Sequence, residues 1–335
     1  MEAISPSTQT MKAIVQTEYG SADVLKLAEV ARPVVPDNGV LVRVHAAAVH
    51  AGDWHLMRGT PFLLRLIYGG LRSPRIKILG CDAAGTVEAV GKAVTRFKPG
   101  DAVFGDLSES GFGTFAEYVC APETAFALKP TNLTFEEAAT VPVSALAALQ
   151  GLRDVGQIQA GQKVLVNGAA GGVGSFAVQI AKAFGAEVTA VCSPSKSEMM
   201  RTLGADHVLN AIPTMNQPQY DLILDAAAYH SVFEVLPAVK PKGVYALVGG
   251  STARLFQVML FGAGISKISR RTVKFLATKP NAVDLIVLKE LIESGKMRPF
   301  VDRCYSLNEV PTAIRALEQR QVRGKVAIRI GAAGA

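Results

Sequence analysis

The sequence predicts an α/β protein in which a β-rich region is combined with a doubly wound parallel sheet. Residues from Met11 to about Lys129 form short strand-like segments separated by turns. From Thr134 onward, apolar strands alternate with helical segments, as in a sheet built from β–α–β units. A glycine-rich turn at residues 168–174 joins the first strand and helix of this alternation. These three observations place the fold in the α/β class.

The N-terminal region is predicted to be mainly β-structure. Residues 40–46 alternate between apolar and polar, and residues 85–90 and 102–104 are rich in strand-forming side chains. The predicted helical region then begins with a capping-box pattern at Thr134 and Glu137. The apolar run that follows is interrupted by a proline at position 142, so a break in the helix is expected there.

The glycine-rich turn is the most informative local pattern in the chain. Residues 163–167 predict a buried strand, helical spacing follows the turn as far as Gly185, and residues 188–191 predict a second strand. In this context glycines let the main chain approach a pyrophosphate, and the helix N-terminus offers free N–H groups. We therefore predict a dinucleotide site, with the pyrophosphate bound by Ala170, Gly171, Gly172 and Val173.

The remaining elements continue the alternation to the C-terminus. A second capping box at Ser195 and Glu198 predicts the start of a helix. Further predicted helices are residues 195–203, 231–239, 282–294 and 307–319, and further predicted strands are residues 220–226, 243–248 and 325–330.

The residues after the second strand indicate which nicotinamide dinucleotide is bound. NAD-binding proteins usually carry an acidic residue about 20 positions after the glycines, where it binds the ribose 2′-hydroxyl. No acid stands at positions 191–193 of this chain. Ser193 can instead hydrogen-bond a 2′-phosphate and Lys196 can pair with it, assisted by Arg201, unless Lys196 is only a solvated surface lysine. NADPH is therefore the predicted cofactor.

Length and composition predict the number of domains and the cellular compartment of the protein. A chain of 335 residues suits two domains, and its four cysteines are far apart with no C-x-x-C pair, as expected of thiols in a reducing compartment. Residues 1–10 carry neither a basic region nor an apolar run, so we expect a short disordered tail rather than a secretory signal. A soluble cytoplasmic protein is predicted.

The net charge of +7 is unevenly distributed. Residues 58–77 and 254–274 each contain five basic residues and no acid, and both segments are also apolar. Nucleic acid is not expected, because the aromatic and motif context of such proteins is absent. Three interpretations remain open: contact with an anionic membrane surface, binding of an anionic substrate tail, and solvated flanks of two loops that cover a pocket.

Several ordered segments resemble the medium-chain dehydrogenase/reductase superfamily, most closely its zinc-free quinone-oxidoreductase-like branch. They include MKAIVQTEYGSADVLKL, VRVHAAAVHAGDWHLMRG, LGCDAAGTVEAVGKAVTRFKPGDAVFG, GTFAEYV, VPVSALAALQGL, LGADHVL and GKVAI. The resemblance implies a GroES-like catalytic domain, formed by residues 11–138 and 276–335, around a Rossmann NADPH-binding domain of residues 139–275. It also implies a homodimer.

The resemblance also implies further cofactor contacts. Val248, Gly249 and Gly250 would end the strand that faces the nicotinamide ribose and pyrophosphate, and Phe275 and Leu276 would meet the carboxamide. Two more residues are expected beside the reacting end of the cofactor, namely Val143 and Lys325.

The positions that bind catalytic zinc in related enzymes are occupied here by His50, Cys81 and Val143. Histidine and cysteine can bind zinc, but valine cannot, and a catalytic zinc needs three protein ligands. The sequence therefore predicts no metal. Without a Lewis acid, an already electrophilic acceptor is the expected substrate.

Three residues are candidates for the catalytic chemistry. His50 is the best candidate donor to the acceptor oxygen, Asp53 either shapes the loop or takes part in the chemistry, and Tyr68 is a candidate proton donor beside solvent. The predicted function is reduction of a small hydrophobic quinone or activated alkene by NADPH. An aldehyde or alcohol oxidoreductase and a low-turnover NADPH-binding sensor are the alternatives.

Overall fold

The computed structural model describes residues 9–212 and 218–331. Residues 1–8 of the predicted tail lie outside this range, and the first strand begins at Thr10. Within the described residues, no helix is long and apolar enough to cross a membrane.

The β-rich part contains a seven-stranded sheet and a separate antiparallel pair. Strands from both ends of the chain form the larger sheet, in the order β14-β15-β3-β4-β5-β7, with β6 paired to β3. The pair is β1 (Thr10–Val15) and β2 (Lys26–Ala31). The sheet strands are β3 (Gly39–Val49), β4 (Asp82–Val90), β5 (Ala102–Asp106), β6 (Tyr118–Pro122), β7 (Phe126–Leu128), β14 (Val301–Ser306) and β15 (Lys325–Arg329).

The second part is a six-stranded sheet in the order β10-β9-β8-β11-β12-β13. All of its pairings are parallel, which confirms the predicted doubly wound sheet. Its strands are β8 (Lys163–Asn167), β9 (Glu187–Val191), β10 (His207–Leu209), β11 (Tyr220–Asp225), β12 (Val239–Leu247) and β13 (Thr272–Phe275). The sheets lie on the two sides of the predicted domain division, whose limits at 138/139 and 275/276 remain a prediction.

Several helices begin at or near the residues that the sequence predicts, whereas α1 lies in a region predicted to contain only strands. Thr134 and Glu137 form the predicted capping box, and Pro142 is the first residue of a new helix because a proline there loses no helical hydrogen bond. The helices are α1 (Ala51–Arg58), α2 (Phe135–Ala139), α3 (Pro142–Gln150), α4 (Gly172–Ala183), α5 (Ser197–Thr202), α6 (Val232–Val235), α7 (Thr252–Ser269), α8 (Ala282–Glu293) and α9 (Val310–Glu318).

Two sequence predictions about these elements are wrong. The capping box at Ser195 does not form, since a 3-10 turn over Pro194–Lys196 precedes α5 and no side chain caps that helix. The segment 254–274 is not a loop but consists mostly of α7 and β13. Its apolar residues lie on more than one face of the helix, so no helical periodicity marked it in the sequence.

The pairing of β15 with β3 places the start of the C-terminal strand close to His50. β15 pairs antiparallel with β3, with Val326 opposite Val49. His50 directly follows β3 and Lys325 begins β15, so both residues lie at the same end of this strand pair.

Candidate functional site

A cleft of about 680 Å³ lies at the carboxyl ends of β8, β9 and β11. Asn167, Val191 and Ala226, at or just after these strand ends, line it. Ligands of open α/β sheets bind at the carboxyl ends of the strands. The predicted residues Ala170, Gly171, Gly172, Ser193 and Lys196 also line the cleft.

The glycine turn fits a pyrophosphate. Gly171 caps α4 without a side-chain acceptor, so the first N–H groups of the helix have no capping partner. A Cβ on Gly174 would lie 2.3 Å from the carbonyl oxygen of Gly168, and one on Gly172 would lie 3.1 Å from Lys325 Cδ and Ser144 Oγ. Glycine is therefore required at position 174, whereas at position 172 it leaves room for the neighbouring side chains. Val173 does not line the cleft but packs against the core.

The far end of the cleft carries the positive charge expected for a 2′-phosphate. Ser193 is exposed, and Lys196 is half-buried with its Nζ donating to the carbonyl oxygen of Val322 at 2.8 Å. Arg320 also lines this end, and its guanidinium carbon lies 4.7 Å from the centre of the Tyr229 ring. The site is therefore completed by the C-terminal segment of the chain.

Arg320 is a cation that the sequence analysis missed, whereas Arg201 is not where it was expected. Arg201 does not line the cleft, and its Nη1 lies 3.5 Å from Glu198 Oε2 on the same helix. No local pattern marks Arg320, because it reaches the cleft only through the packing of α9 and the segment that follows it.

The buried carboxylate of Asp225 accepts hydrogen bonds from residues at the base of the cleft. Asp225 Oδ1 accepts hydrogen bonds from Asn167 Nδ2 and the Ala228 N–H, both at 2.7 Å. Its Oδ2 accepts from the Tyr245 hydroxyl at 2.8 Å, and burial together with this carboxylate raises the pKa of Tyr245. These bonds fix the start of the loop after β11, whose residues Ala227 and Tyr229 line the cleft.

The remaining predicted cofactor residues lie at neighbouring strand ends outside the cleft lining. Val248, Gly249 and Gly250 follow β12, and Gly250 has a φ of +101°, where a Cβ would lie 2.0 Å from the Ala227 carbonyl oxygen. Phe275 ends β13, and the Leu276 N–H donates to the Leu247 carbonyl oxygen at 2.8 Å. Leu276 lines a separate cleft of about 460 Å³.

A buried ion pair between two strands of the seven-stranded sheet lies beside the glycine turn. Lys325 Nζ lies 3.3 Å from Asp82 Oδ2 and 3.0 Å from Ser144 Oγ, and both charged side chains are almost fully buried. Asp82 Oδ1 also accepts from the Val143 N–H at 2.8 Å, which links β4 to the first turn of α3. The predicted residues Val143 and Lys325 thus meet at one carboxylate, that of Asp82.

The ring of His50 is held at both nitrogens. Its Nδ1 accepts from the Gly52 N–H at 3.0 Å, so the ring proton of the neutral imidazole lies on Nε2. Nε2 lies 2.8 Å from Cys81 Sγ and donates to it. Burial lowers the pKa of His50 to about 4, so the ring is neutral near pH 7. Burial likewise raises the pKa of the Cys81 thiol, with Asp106 and Asp82 adding to the effect.

Asp53 shapes the turn that carries His50. Its carboxylate accepts from the His50 N–H at 2.8 Å and from the Gly80 N–H at 3.2 Å, and the side chain is completely buried. Burial raises the pKa of Asp53 to about 7. The 3.7 Å approach of its carboxylate to His50 Nε2 is therefore not a salt bridge, because the histidine is neutral.

Tyr68 lies in a different setting from His50. Its ring packs edge-on against Phe112 with centroids 6.0 Å apart, and the side chain is 43% exposed. It lines a small cavity with Tyr19 and Leu64, a lining that does not include His50.

The structure brings together two of the three residues at the zinc-ligand positions. His50 and Cys81 are in contact, and Val143 offers no donor side chain. Within residues 9–212 and 218–331, no group of three or more histidine, cysteine or acidic side chains could hold a metal ion.

A parallel sheet with a glycine turn at its dinucleotide position, joined to a β-rich domain, defines a two-domain dinucleotide-dependent oxidoreductase. Two family models agree with this class. Residues 36–131 match the alcohol dehydrogenase GroES-like domain, and residues 203–328 match the zinc-binding dehydrogenase domain.

Individual relatives narrow the class. The chain is 36% identical to a 2-methylene-furan-3-one reductase of Solanum lycopersicum over 95% of this chain and 79% of the relative. It is 34% identical to the chloroplastic NADPH-dependent alkenal/one oxidoreductase of Arabidopsis thaliana, with the same coverage of 95% and 79%. The quinone oxidoreductase structure from Coxiella burnetii superposes with a TM-score of 0.86 at 29% identity, over 96% of this chain and 100% of that one.

The chain therefore belongs to the medium-chain dehydrogenase/reductase superfamily, in its quinone-oxidoreductase-like branch. It is an oxidoreductase with a GroES-like domain and a Rossmann-type domain, and its class of cofactor is NAD(P).

Proposed function

We propose that this protein is an NADPH-dependent, zinc-free reductase that transfers a hydride to a quinone or an α,β-unsaturated carbonyl compound. The observation that carries the proposal is the cationic end of the cleft, which is lined by Ser193, Lys196 and Arg320, together with the lack of an acid at positions 191–193. A 2′-phosphate matches these side chains, whereas the ribose 2′-hydroxyl of NADH would lack its usual acidic partner. The names of the tomato and Arabidopsis relatives support an α,β-unsaturated carbonyl acceptor, and the name of the Coxiella structure supports a quinone.

NADPH supplies the hydride when it is bound, and the protein binds and orients the cofactor and provides the charged groups around it. The N–H groups at the start of α4 would hold the pyrophosphate, and Lys196 and Arg320 would hold the 2′-phosphate. Gly174 and Asp225 keep the turn and the loop after β11 at the right distance for these contacts.

The proton for the reduced acceptor has three candidate sources, namely His50, Tyr68 and solvent. The only ring proton of neutral His50 is donated to Cys81, so the histidine can serve an acceptor oxygen only by giving up that bond. Asp53 has the positioning task, since it caps the first turn of α1 and fixes the main chain of His50.

The absence of a third donor at Val143 supports a zinc-free reaction. Acceptors that are electrophilic by themselves need no Lewis acid, unlike simple alcohols. The exposed apolar side chains of Phe62, Leu63 and Leu66 suit a small hydrophobic electron acceptor. We also propose a cytoplasmic homodimer.

The test is NADPH consumption by protein treated with a chelator, against a panel of quinones, enones, enals and simple aldehydes, with NADH as the control. Turnover of quinones or enones with a strong NADPH preference supports the proposal. Turnover that appears only after zinc is added, and only with aldehydes or alcohols, would show an aldehyde or alcohol oxidoreductase instead. Tight NADPH binding without turnover of any acceptor would favour a sensor.

A further inference from the structure

Arg320 follows the last turn of α9 in a main-chain conformation that favours glycine. Its φ is +58°, in the left-handed region. The Arg320 N–H donates to the Leu317 carbonyl oxygen at 3.0 Å. The next N–H, that of Gln321, donates to the Ala316 carbonyl oxygen at the same distance. These two hydrogen bonds commonly end a helix with glycine at the position that Arg320 occupies, so the arginine stands here in an unfavourable conformation.

The Arg320 guanidinium is available to an anion. Its carbon lies 4.7 Å from the centre of the Tyr229 ring, and no carboxylate in the described part of the chain lies within ion-pair distance of it. A guanidinium carries its N–H donors at its edge, so contact of its face with a ring leaves these donors for a phosphate. Lys196 is bonded to the main chain at Val322, two residues beyond Arg320. Both cations line the same cleft.

The other partner of this contact, Tyr229, is positioned by the loop after β11. The residue before it, Ala228, has a φ of +45°, and its N–H donates to Asp225 Oδ1 at 2.7 Å. The Tyr229 side chain is 57% exposed and lines the cleft. Residues other than glycine keep a positive φ only where the surrounding structure fixes them, and such positions are frequent at ligand-binding sites. Main-chain conformations that the fold maintains therefore set both sides of the contact.

We propose that Tyr229 is a positioning residue for NADPH, because its ring holds the Arg320 guanidinium in place for the 2′-phosphate. This inference rests on the proposed function, since it concerns the same cofactor. An arginine that is already stacked has lost part of the rotamer freedom that phosphate binding would remove, so the phosphate binds more tightly. An adenine ring stacked on Tyr229 would instead favour NADPH and NADH equally, because both contain adenine.

The experiment measures the dissociation constants of NADPH and NADH for the wild type, Tyr229→Ala and Tyr229→Phe. We expect Tyr229→Ala to weaken NADPH binding about twofold to fivefold, the range for an exposed cation–π contact, and to leave NADH binding nearly unchanged. Tyr229→Phe keeps the ring face and should keep the selectivity of the wild type. Equal weakening of both cofactors by Tyr229→Ala would make Tyr229 an adenine contact and overturn the proposal.

Tyr118→Ala is the matched control. It removes another ring beside an arginine, since the Arg32 guanidinium carbon lies 3.5 Å from the centre of the Tyr118 ring. Neither residue lines the dinucleotide cleft, so both cofactors should bind to this variant as they do to the wild type. Circular dichroism checks that every variant is folded.

Variants of Arg320 test whether Tyr229 acts through the arginine. In an Arg320→Ala background, Tyr229→Ala should cause no further loss of NADPH affinity, because the group that it positions is already absent. A further loss as large as that in the wild type would show that Tyr229 acts independently, and the proposal would be wrong.

Arg320→Gly tests the unfavourable conformation. Glycine fits the left-handed position, so this variant should unfold at a higher urea concentration than Arg320→Ala while it binds NADPH as weakly. An Arg320→Gly protein that binds NADPH as tightly as the wild type does would overturn the proposal.

The same titrations separate this inference from the proposed function. If the wild type prefers NADPH to NADH and Tyr229→Ala keeps the same preference, only the role of Tyr229 is wrong. If the wild type binds the two cofactors equally, the proposed NADPH dependence is wrong and the role of Tyr229 is wrong with it.

Discussion

Lys196 of the parallel-sheet domain donates a hydrogen bond from its Nζ to the main-chain carbonyl oxygen of Val322, 2.8 Å away. Val322 precedes β15 of the GroES-like sheet, so this bond joins the two parts of the chain across the cleft. An ammonium group has three donors, and two remain for a ligand. The bond fixes the lysine at the cleft instead of leaving it as a solvated surface residue, the alternative that the sequence left open.

We predict that Lys196→Ala raises the dissociation constant of NADPH about tenfold or more, equivalent to about 1.4 kcal/mol. NADH binding should barely change, because NADH lacks the 2′-phosphate that the lysine would hold. Titration of cofactor fluorescence or calorimetry measures both constants. Arg201→Ala is the matched control and should bind both cofactors normally, since Arg201 does not line the cleft. Equal weakening of both cofactors by Lys196→Ala would show that the 2′-phosphate assignment is wrong.

Arg320→Ala should have the same selective effect. Arg320 lines the same end of the cleft, so we expect NADPH to bind about fivefold to tenfold more weakly while NADH binding changes little. The double variant with Lys196→Ala shows whether the two cations act on one phosphate. If they do, the two changes in binding free energy will not be additive, because the residues share a partner. An Arg320→Ala protein with unchanged NADPH affinity would leave the arginine as a partner of Tyr229 alone.

The candidate dinucleotide site could be predicted because its main signals are local. The glycines, the strand before them and the helix after them lie in about twenty consecutive residues, and the main-chain geometry that they need is encoded there. Arg320 could not be predicted, because it reaches the cleft only when the C-terminal segment folds back onto it. The contact of His50 with Cys81 likewise depends on the packing of α1 against the residue before β4.

His50→Ala should lower the turnover rate more than it lowers cofactor affinity, because the ring lies beside Lys325 and Asp82 rather than in the cleft lining. Steady-state kinetics together with NADPH binding measures the two effects. Cys81→Ala is the informative comparison, since it removes the acceptor of the ring N–H and leaves the histidine free to donate elsewhere. Unchanged turnover in His50→Ala would make His50 a structural residue.

Lys325→Met should destabilise the fold strongly, because it leaves the buried carboxylate of Asp82 without its cation. Removing one partner of a buried ion pair costs about 3–5 kcal/mol, whereas exposed pairs contribute about 1 kcal/mol or less. Urea denaturation measures the free energy of unfolding, with Arg329→Met as the control for an exposed pair with Glu136. Adding Asp82→Asn to Lys325→Met should recover part of the loss. A loss no larger than that of Arg329→Met would contradict this account.

Asp53 should make the protein less stable as the pH rises from about 4 to about 7. Its pKa in the folded protein is about 7 against an ordinary value of 3.8, so in this window the folded state holds a proton that the unfolded state has lost. Stability falls with pH wherever the folded state binds more protons, by at most about 1.4 kcal/mol per pH unit for one group. The lowered pKa of His50 acts in the opposite direction below its ordinary value of 6.5. His50 is present in both the wild type and a variant changed only at Asp53, so a comparison of the two proteins isolates the effect of Asp53.

Asp53→Asn removes this dependence. The asparagine loses one of the two hydrogen bonds from the His50 and Gly80 N–H groups, which costs about 1–3 kcal/mol at every pH. Relative to the wild type, the variant should therefore gain stability as the pH is raised, which urea denaturation at about pH 5 and about pH 8 would measure. Glu88→Gln, at an exposed carboxylate on β4, should show no such trend. A constant difference between Asp53→Asn and the wild type at both pH values would mean that Asp53 is already ionised at the lower one.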